Sequence, residues 1–409
     1  MAHECTCEIL LPIEKIEKCS VCGTKESLRL CSSCTERVYC SKECQAVDWK
    51  SGHKKICVKT QRIEIERIYP FLAAHVNRMR ISDKSPNIKH PALNNCIINS
   101  PNPGLPGTCG PIPGSKGEEA TIVRLGPPID TPFPEPSPRW WPQAMEPKVR
   151  RKLFRRIILE GNAFYVSLAM TFALLSQLYT CPHTRLKYKT SPIADFGIAH
   201  GKFKVIEDDQ LAYVLPDGKV VRGQDPENHY WVYFKTIRGE ELTFDVSCYT
   251  WNLCICTIVR PYIPEDGGWP AVFNNRELRR SDDSALARLY TEKERYSVLR
   301  DPDLGRVAMA DDDRFTEDTM QSVAAWGESK LGKRLTPAER DFVPHCIGYL
   351  SMALRIALED GSWKNWPAKP EIGLDKDSLE ILADIEMGRY WLEFEGSMCI
   401  GFFVGPSVH

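Results

Sequence analysis

Eight Cys and His residues paired between positions 19 and 57, prolines crowded between 85 and 146, and apolar helical stretches followed by strand-like runs predict a three-part fold. It is a small metal-organised finger, a proline-rich connector, and a mixed α+β body with a twisted antiparallel sheet and C-terminal helices. The 409 residues leave room for roughly two to four domains. A net charge of −1, from 53 basic and 54 acidic side chains, provides no global field toward nucleic acid or an anionic membrane. Hydrophobic residues at 43% and charged residues at 26% exclude wholesale disorder.

Met1 to Glu8 has no basic stretch leading into an apolar one, so an intracellular protein, cytoplasmic or nuclear, is expected. The most apolar segment, Phe164 to Tyr179, is broken by Ser167, Thr171, Ser176 and Gln177. It falls short of the ~20 apolar residues of a bilayer crossing and reads as a buried helix. Seven of the 17 cysteines fall between 19 and 57, and in a reducing compartment such short spacing means metal rather than disulfides. His3, Cys5 and Cys7 offer only three ligands, and no third site is expected there.

The ligands stand as Cys19-x2-Cys22, Cys31-x2-Cys34, Cys40-x3-Cys44 and His53-x3-Cys57, enough for two tetrahedral zinc sites. A two-residue gap lets a tight turn aim both thiolates at one ion. A three-residue gap places both ligands on one face of a helix. Buried free cysteines are the alternative, but this stretch lacks an apolar core to bury them in. The metal's binding energy is then the finger's folding energy. Spacing alone permits sequential or interleaved pairing.

The runs Cys19-Ser-Val-Cys-Gly, Leu30-Cys-Ser-Ser-Cys, Val38-Tyr-Cys-Ser-Lys-Glu-Cys-Gln and Asp48-Trp-Lys-Ser-Gly-His-Lys-Lys-Ile-Cys57 resemble a MYND-type zinc finger with every ligand position filled. The resemblance covers about a tenth of the chain. It implies cross-bracing, with Cys19, Cys22, Cys40 and Cys44 on one Zn2+ and Cys31, Cys34, His53 and Cys57 on the other. It also implies binding of proline-containing segments of partner proteins, with Gln45 and Trp49 at positions that line the peptide groove; packing beneath the helix is the other role open to Trp49. The charge agrees. Residues 1–60 hold ten Lys/Arg and eight Asp/Glu, and seven thiolates against two Zn2+ add three negative charges, leaving no surplus for a phosphate backbone.

Beyond the finger (16–60) the sequence divides into a helix plus proline-rich linker (61–147), an α+β domain (148–264) and a mainly helical region packed on the body (265–409). Ile63, Ile65, Ile68, Phe71, Leu72 and Val76 recur at near-helical spacing, with Pro70 as an interruption. Runs such as Thr131-Pro-Phe-Pro-Glu-Pro-Ser-Pro read as an irregular loop whose end Trp140 and Trp141 anchor on the next domain. Arg150, Arg151, Lys152, Arg155 and Arg156 read as a solvated helix face rather than a nuclear signal. Strands are expected at 203–206, 211–215, 219–222, 230–236 and 241–246, with a turn at Pro216-Asp217-Gly218. Helices follow at 276–300, 316–330, 337–359 and 378–387, then a strand pair over 390–404 turning at Glu395-Gly396. Thr336-Pro337-Ala338-Glu339 has the composition of a helix start.

A second constellation lies in the body. Glu160-Gly-Asn-Ala-Phe-Tyr-Val-Ser, Asn228-His-Tyr-Trp and Leu242-Thr-Phe-Asp245 resemble the layout of papain-like and transglutaminase-like cysteine enzymes. There a Cys at a helix start, a strand His and an adjacent-strand Asp act as nucleophile, base and orienter. Ala163 stands at the nucleophile position, so the resemblance implies a degenerate site of Ala163, His229 and Asp245. Cys181 and Cys248 do not fit the helix-start role, and His229 and Asp245 as ordinary sheet residues is the plainer reading. Gly239-Glu-Glu-Leu-Thr-Phe-Asp245 resembles a SET methyltransferase segment. The Asn-His pair of that family lies far upstream, whereas Asn228-His229 is only about ten residues away. The expectation is a zinc-binding adaptor with a non-catalytic body; a cysteine hydrolase or acyl-transfer enzyme is the alternative, and a SET enzyme a remote one.

Overall fold

The computed structural model describes residues 11–57, 61–101, 109–129, 136–180, 184–263, 268–276, 286–310, 316–375, 391–395 and 397–401. In the finger, β1 (Arg29–Leu30) pairs with β2 (Val38–Tyr39), and α1 (Lys42–Asp48) runs into a π-helical turn over Trp49–His53 and then α2 (Lys54–Cys57). Ser41 caps α1 by accepting from the Cys44 amide. Gly52, at φ 149, supplies the break between the two helices.

The chain continues through β3 (Gln61–Glu64), α3 (Ile65–Arg80), α4 (Pro91–Asn94), β4 (Asn95–Ile97), β5 (Cys109–Pro111) and β6 (Glu119–Pro128). Next come α5 (Pro147–Ile158), α6 (Ala163–Leu174), β7 (Thr184–Tyr188), β8 (Ser191–Phe203), β9 (Leu211–Val214), β10 (Val220–Arg222), β11 (His229–Thr236) and β12 (Glu241–Asp245). The rest is β13 (Ile255–Ile258), β14 (Gly268–Pro270), β15 (Val272–Arg276), β16 (Tyr290–Ser297), α7 (Pro302–Met309), α8 (Glu317–Leu331), α9 (Pro337–Glu359), β17 (Ile372–Leu374), β18 (Trp391–Glu395) and β19 (Ser397–Gly401).

A seven-stranded sheet in the order β15-β12-β11-β8-β7-β3, with β16 also on β8, forms the spine of the body. All its pairings are antiparallel except β3 with β7. β8 is long enough to hold β11 along one edge and β7 then β16 in succession along the other. Its glycines have a steric reason. A Cβ on Gly197 would lie 2.0 Å from the Tyr296 carbonyl oxygen, and one on Gly201 2.1 Å from that of Thr291. Gly197→Ala is therefore expected to push β16 off the sheet and to lower the urea midpoint, at about 1–3 kcal/mol. An unchanged midpoint would refute this account of the glycine.

The main core lies on one face of that sheet. α6 is buried along its whole length between Val232, Phe234 and Phe244 of the sheet and Phe342, Val343, Ile347 and Leu350 of α9, with α3 beside it. Pro70 does not interrupt α3, because Ile65, Ile68, Tyr69, Phe71, Leu72 and Val76 are all buried and their packing outweighs the lost backbone bond. Gly161 (φ 72) and Asn162 (φ 53) turn the chain by 78° between α5 and α6. No single helix among the described residues is long and apolar enough to cross a membrane.

Several expectations change. The segment 85–146 is more than a connector, since it contributes α4 and three strands, β6 being ten residues long. The prolines within these elements stand at their ends: Pro91 opens α4, Pro111 ends β5, and Pro127 and Pro128 end β6, where a missing donor breaks nothing. Trp140 and Trp141 are buried, donating from Nε1 to Ala92 O (2.7 Å) and Asn99 O (2.9 Å). Where a helix is expected at 276–300, the described residues 286–300 form a short turn and β16 instead. The helix at 378–387 falls outside the described residues, and the C-terminal strand pair is present as β18 and β19. Three of the five residues in the basic run of α5 do not lie on a solvated face: Arg150 is 6%, Lys152 7% and Arg156 0% exposed, while Arg151 is exposed and Arg155 half-buried. Arg150 donates to Pro136 O and Ala144 O, and Arg156 to Thr250 O and Asp209 O, so these side chains strap loops to the helix.

Candidate metal centre

The finger's buried cluster is Cys31, Cys34, Tyr39 and Cys57, with Cys44 and Trp49 packed against it. Most of that list is metal-ligating, so something other than apolar burial must hold the segment. The ligand atoms gather in two fours, Cys19, Cys22, Cys40, Cys44 and Cys31, Cys34, His53, Cys57, each set lying within 4.8 Å of one another. In the first, Cys22 Sγ is 3.4 Å and Cys44 Sγ 3.6 Å from Cys40 Sγ. In the second, Cys31 Sγ and Cys57 Sγ are 3.6 Å apart and Cys34 Sγ lies 3.4 Å from His53 Nε2. A zinc tetrahedron with Zn–S of about 2.3 Å has edges of about 3.8 Å, which these separations approach. The pairing is interleaved, as the resemblance implied.

Local structure aims each pair. Gly23 N donates to Cys19 O (3.0 Å) with φ 75 at the glycine, and Thr35 N donates to Cys31 O (2.9 Å) with φ 52 at the threonine. Each turn thus needs a left-handed residue after its second cysteine. Of the three-residue gaps, the first is built otherwise than expected. Cys40 precedes the extended cap residue Ser41 while Cys44 is in the first turn of α1. His53 and Cys57 both follow the Gly52 break, His53 directly after it and Cys57 at the end of α2, so this pair stands on one helical run as expected.

The donor set fits zinc. His53 Nδ1 is buried without a hydrogen-bond partner, and Nε2 faces Cys34, so Nε2 is the coordinating atom. Burial pushes the Cys31 thiol up, but the Cys34 amide, His53 and the Ser33 amide outweigh it and bring it to about 6. Cys34 is pushed up to about 12 by burial and by the charges on Cys31 and Cys57, against the Glu36 amide. Such thiols cannot all ionise together until a dication removes their repulsion. Each tetrahedron is completed by protein atoms, leaving no open position for a substrate, which defines structural zinc.

Gln45 and Trp49 stand one turn apart, both half-buried. Gln45 Nε2 donates to Cys31 Sγ at 3.7 Å, and the Trp49 ring meets His53 edge-on at 6.0 Å between centroids. Both therefore support the second zinc site while retaining exposed surface. Sequence reasoning missed how the finger is held to the body. Arg62 donates to Ser33 O (3.3 Å) and pairs with Glu36 (3.5 Å), and Arg185 approaches the same carboxylate at 3.9 Å. On the other side Arg300 donates to Pro12 O (2.8 Å). No local pattern announces such long-range pairs.

In the body, His229 Nε2 lies 2.5 Å from Asp245 Oδ2, and both side chains are buried. Tyr290 donates to the same oxygen (3.0 Å), and the Ser247 and Cys248 amides donate to Oδ1 (2.7 and 3.3 Å). The ring sits among Phe203, Trp231, Trp251 and Tyr290. Ala163 does not join them. Alternation along β11 sends Tyr230, Val232 and Phe234 toward α6, where Tyr230 meets Phe164 at 5.3 Å, and sends His229 and Trp231 to the other face. His229 Nδ1 has no hydrogen-bond partner, and burial and the Asp245 charge push the Cys248 thiol well up. Cys181, like His3, Cys5 and Cys7, lies outside the described residues.

Residues 19–57 match the family model of the MYND finger, and this segment is a MYND finger that binds two zinc ions. Programmed cell death protein 2 of Bos taurus is 46% identical over 46 residues, 11% of this chain and 13% of that protein. Ubiquitin carboxyl-terminal hydrolase 19 of Arabidopsis thaliana is 55% identical over 40 residues, 10% of this chain and 6% of that protein. The chain thus covers about an eighth or less of the length of these relatives, and what they share with it is the finger region. No solved structure matches the chain.

Proposed function

We propose that this chain is an intracellular adaptor, whose MYND finger takes proline-containing segments of partner proteins over Gln45 and Trp49 and whose body is a non-catalytic scaffold. The observation that carries the reading is the closed coordination of both zinc sites, which fits a finger that presents a surface rather than an ion. For the body, the support is that Ala163 and His229 face opposite sides of the sheet and that the His229–Asp245 pair is sealed from solvent.

Trp49→Ala tests the groove. A groove aromatic supplies contact area, so binding of a fluorescent proline-containing peptide is expected to weaken at least tenfold in an anisotropy titration while two zinc ions per chain remain. Loss of zinc together with binding would make Trp49 a packing residue and refute its groove role.

A further inference from the structure

A cavity of about 410 Å³ opens between α5 and the three-stranded sheet β14-β13-β17. One wall is the stripe Lys148, Arg151 and Arg155 of α5, at helical positions i, i+3 and i+7; the other includes Ile258, Gly268, Gly373 and Leu374. The charges do not cancel. Arg155 pairs with Asp375 at 2.5 Å, and Tyr249 donates to the same carboxylate at 2.8 Å, so that pair is internally satisfied. Lys148 and Arg151 have no ion pair or hydrogen bond among the described residues, which leaves two cations facing one volume.

Helix stability does not explain those cations. Positive charge in the opening turns of a helix opposes the macrodipole, and the first turn of α5 carries no acidic residue to offset it. Nor are they loop straps like Arg150 and Arg156. The facing wall is cut back as well: a Cβ on Gly373 would meet nothing within 4 Å, so the space before it is open.

We propose that this cavity binds a small phosphomonoester, its dianionic head between Lys148 and Arg151 and its organic part against Ile258, Gly373 and Leu374. Two adjacent unpaired cations match one doubly charged head, and the Arg fork matches phosphate oxygens geometrically. The volume is that of a small-molecule site.

The test is calorimetric titration of the full zinc-loaded chain with phenyl phosphate. Saturable binding at one site per chain is expected, with a dissociation constant of about 0.1–1 mM. Lys148→Gln with Arg151→Gln is expected to weaken it at least tenfold, and Arg306→Gln, at an exposed position of α7, to leave it unchanged. Asp375→Asn releases Arg155 as a third cation and is expected to tighten binding severalfold, a gain that misfolding cannot imitate. No saturable binding up to about 10 mM, or a double variant that binds like the parent, would overturn the proposal.

Discussion

Cys34→Ala is expected to remove one of the two zinc ions from each chain and to unfold much of the finger while the body stays folded. The finger lacks an apolar core of its own, so metal binding, worth about 10–16 kcal/mol per structural site in isolated fingers, is its folding energy. Cys34 sits where three supports meet: His53 at 3.4 Å, the Glu36 amide at 3.4 Å, and the Ser33–Glu36 loop that Arg62 and Arg185 hold. Removing the thiol leaves two thiolates and a histidine with an open fourth position, a weaker and exchangeable site. The body loses the Arg62 bond to Ser33 O and the Glu36 pairs, whose carboxylate is part-exposed, contacts worth up to ~1 kcal/mol each. Elemental analysis is expected to read one zinc per chain, and the main melting transition to stay within a few degrees of the parent. Retention of two zinc ions, or a body that melts with the finger, would contradict this.

The finger was legible because everything that builds it is local. Ligand type and spacing are read within a few residues. The pairing needed either the resemblance or the structure, since two-residue and three-residue gaps do not say which pairs meet. The hairpin of β9 and β10 and the capping box of α9, with Thr336 and Glu339 bonded reciprocally, were legible for the same reason. β8 was not. Buried on both faces, it has no alternation to detect, and its glycines, which look like breakers, exist to admit β16. β16 itself, Tyr290-Thr-Glu-Lys-Glu-Arg-Tyr-Ser, has charges at a spacing that suits a helix surface. On an exposed sheet strand the same charges serve equally well. That misreading hid Tyr290, and with it the environment of Asp245.

Asp245→Ala is expected to destabilise the body by about 3–5 kcal/mol at pH 7, the scale for removing a buried carboxylate on which several buried donors depend. The carboxylate holds four donors, His229 Nε2, the Tyr290 hydroxyl and the Ser247 and Cys248 amides, and its removal leaves them buried without an acceptor. Burial pushes the Asp245 carboxyl up, but His229, the Ser247 amide and the Tyr290 hydroxyl outweigh it and hold the group below its ordinary range. A depressed carboxyl contributes stability that is fully present above the unfolded-state value, near 3.9, and is lost as pH falls through the folded value. The difference between parent and variant in urea unfolding is thus expected to be constant near neutrality and to shrink only below about pH 4. The sign of the effect also separates the two histories of this pair. Groups kept for chemistry are commonly strained, and their removal stabilises the fold, whereas groups kept for architecture destabilise it when lost. Every Asp245 oxygen is satisfied and the ring is enclosed by four aromatic side chains, which is why a loss of stability is the expected sign. A variant at least as stable as the parent at pH 7 would instead mark His229 and Asp245 as the remnant of an active site.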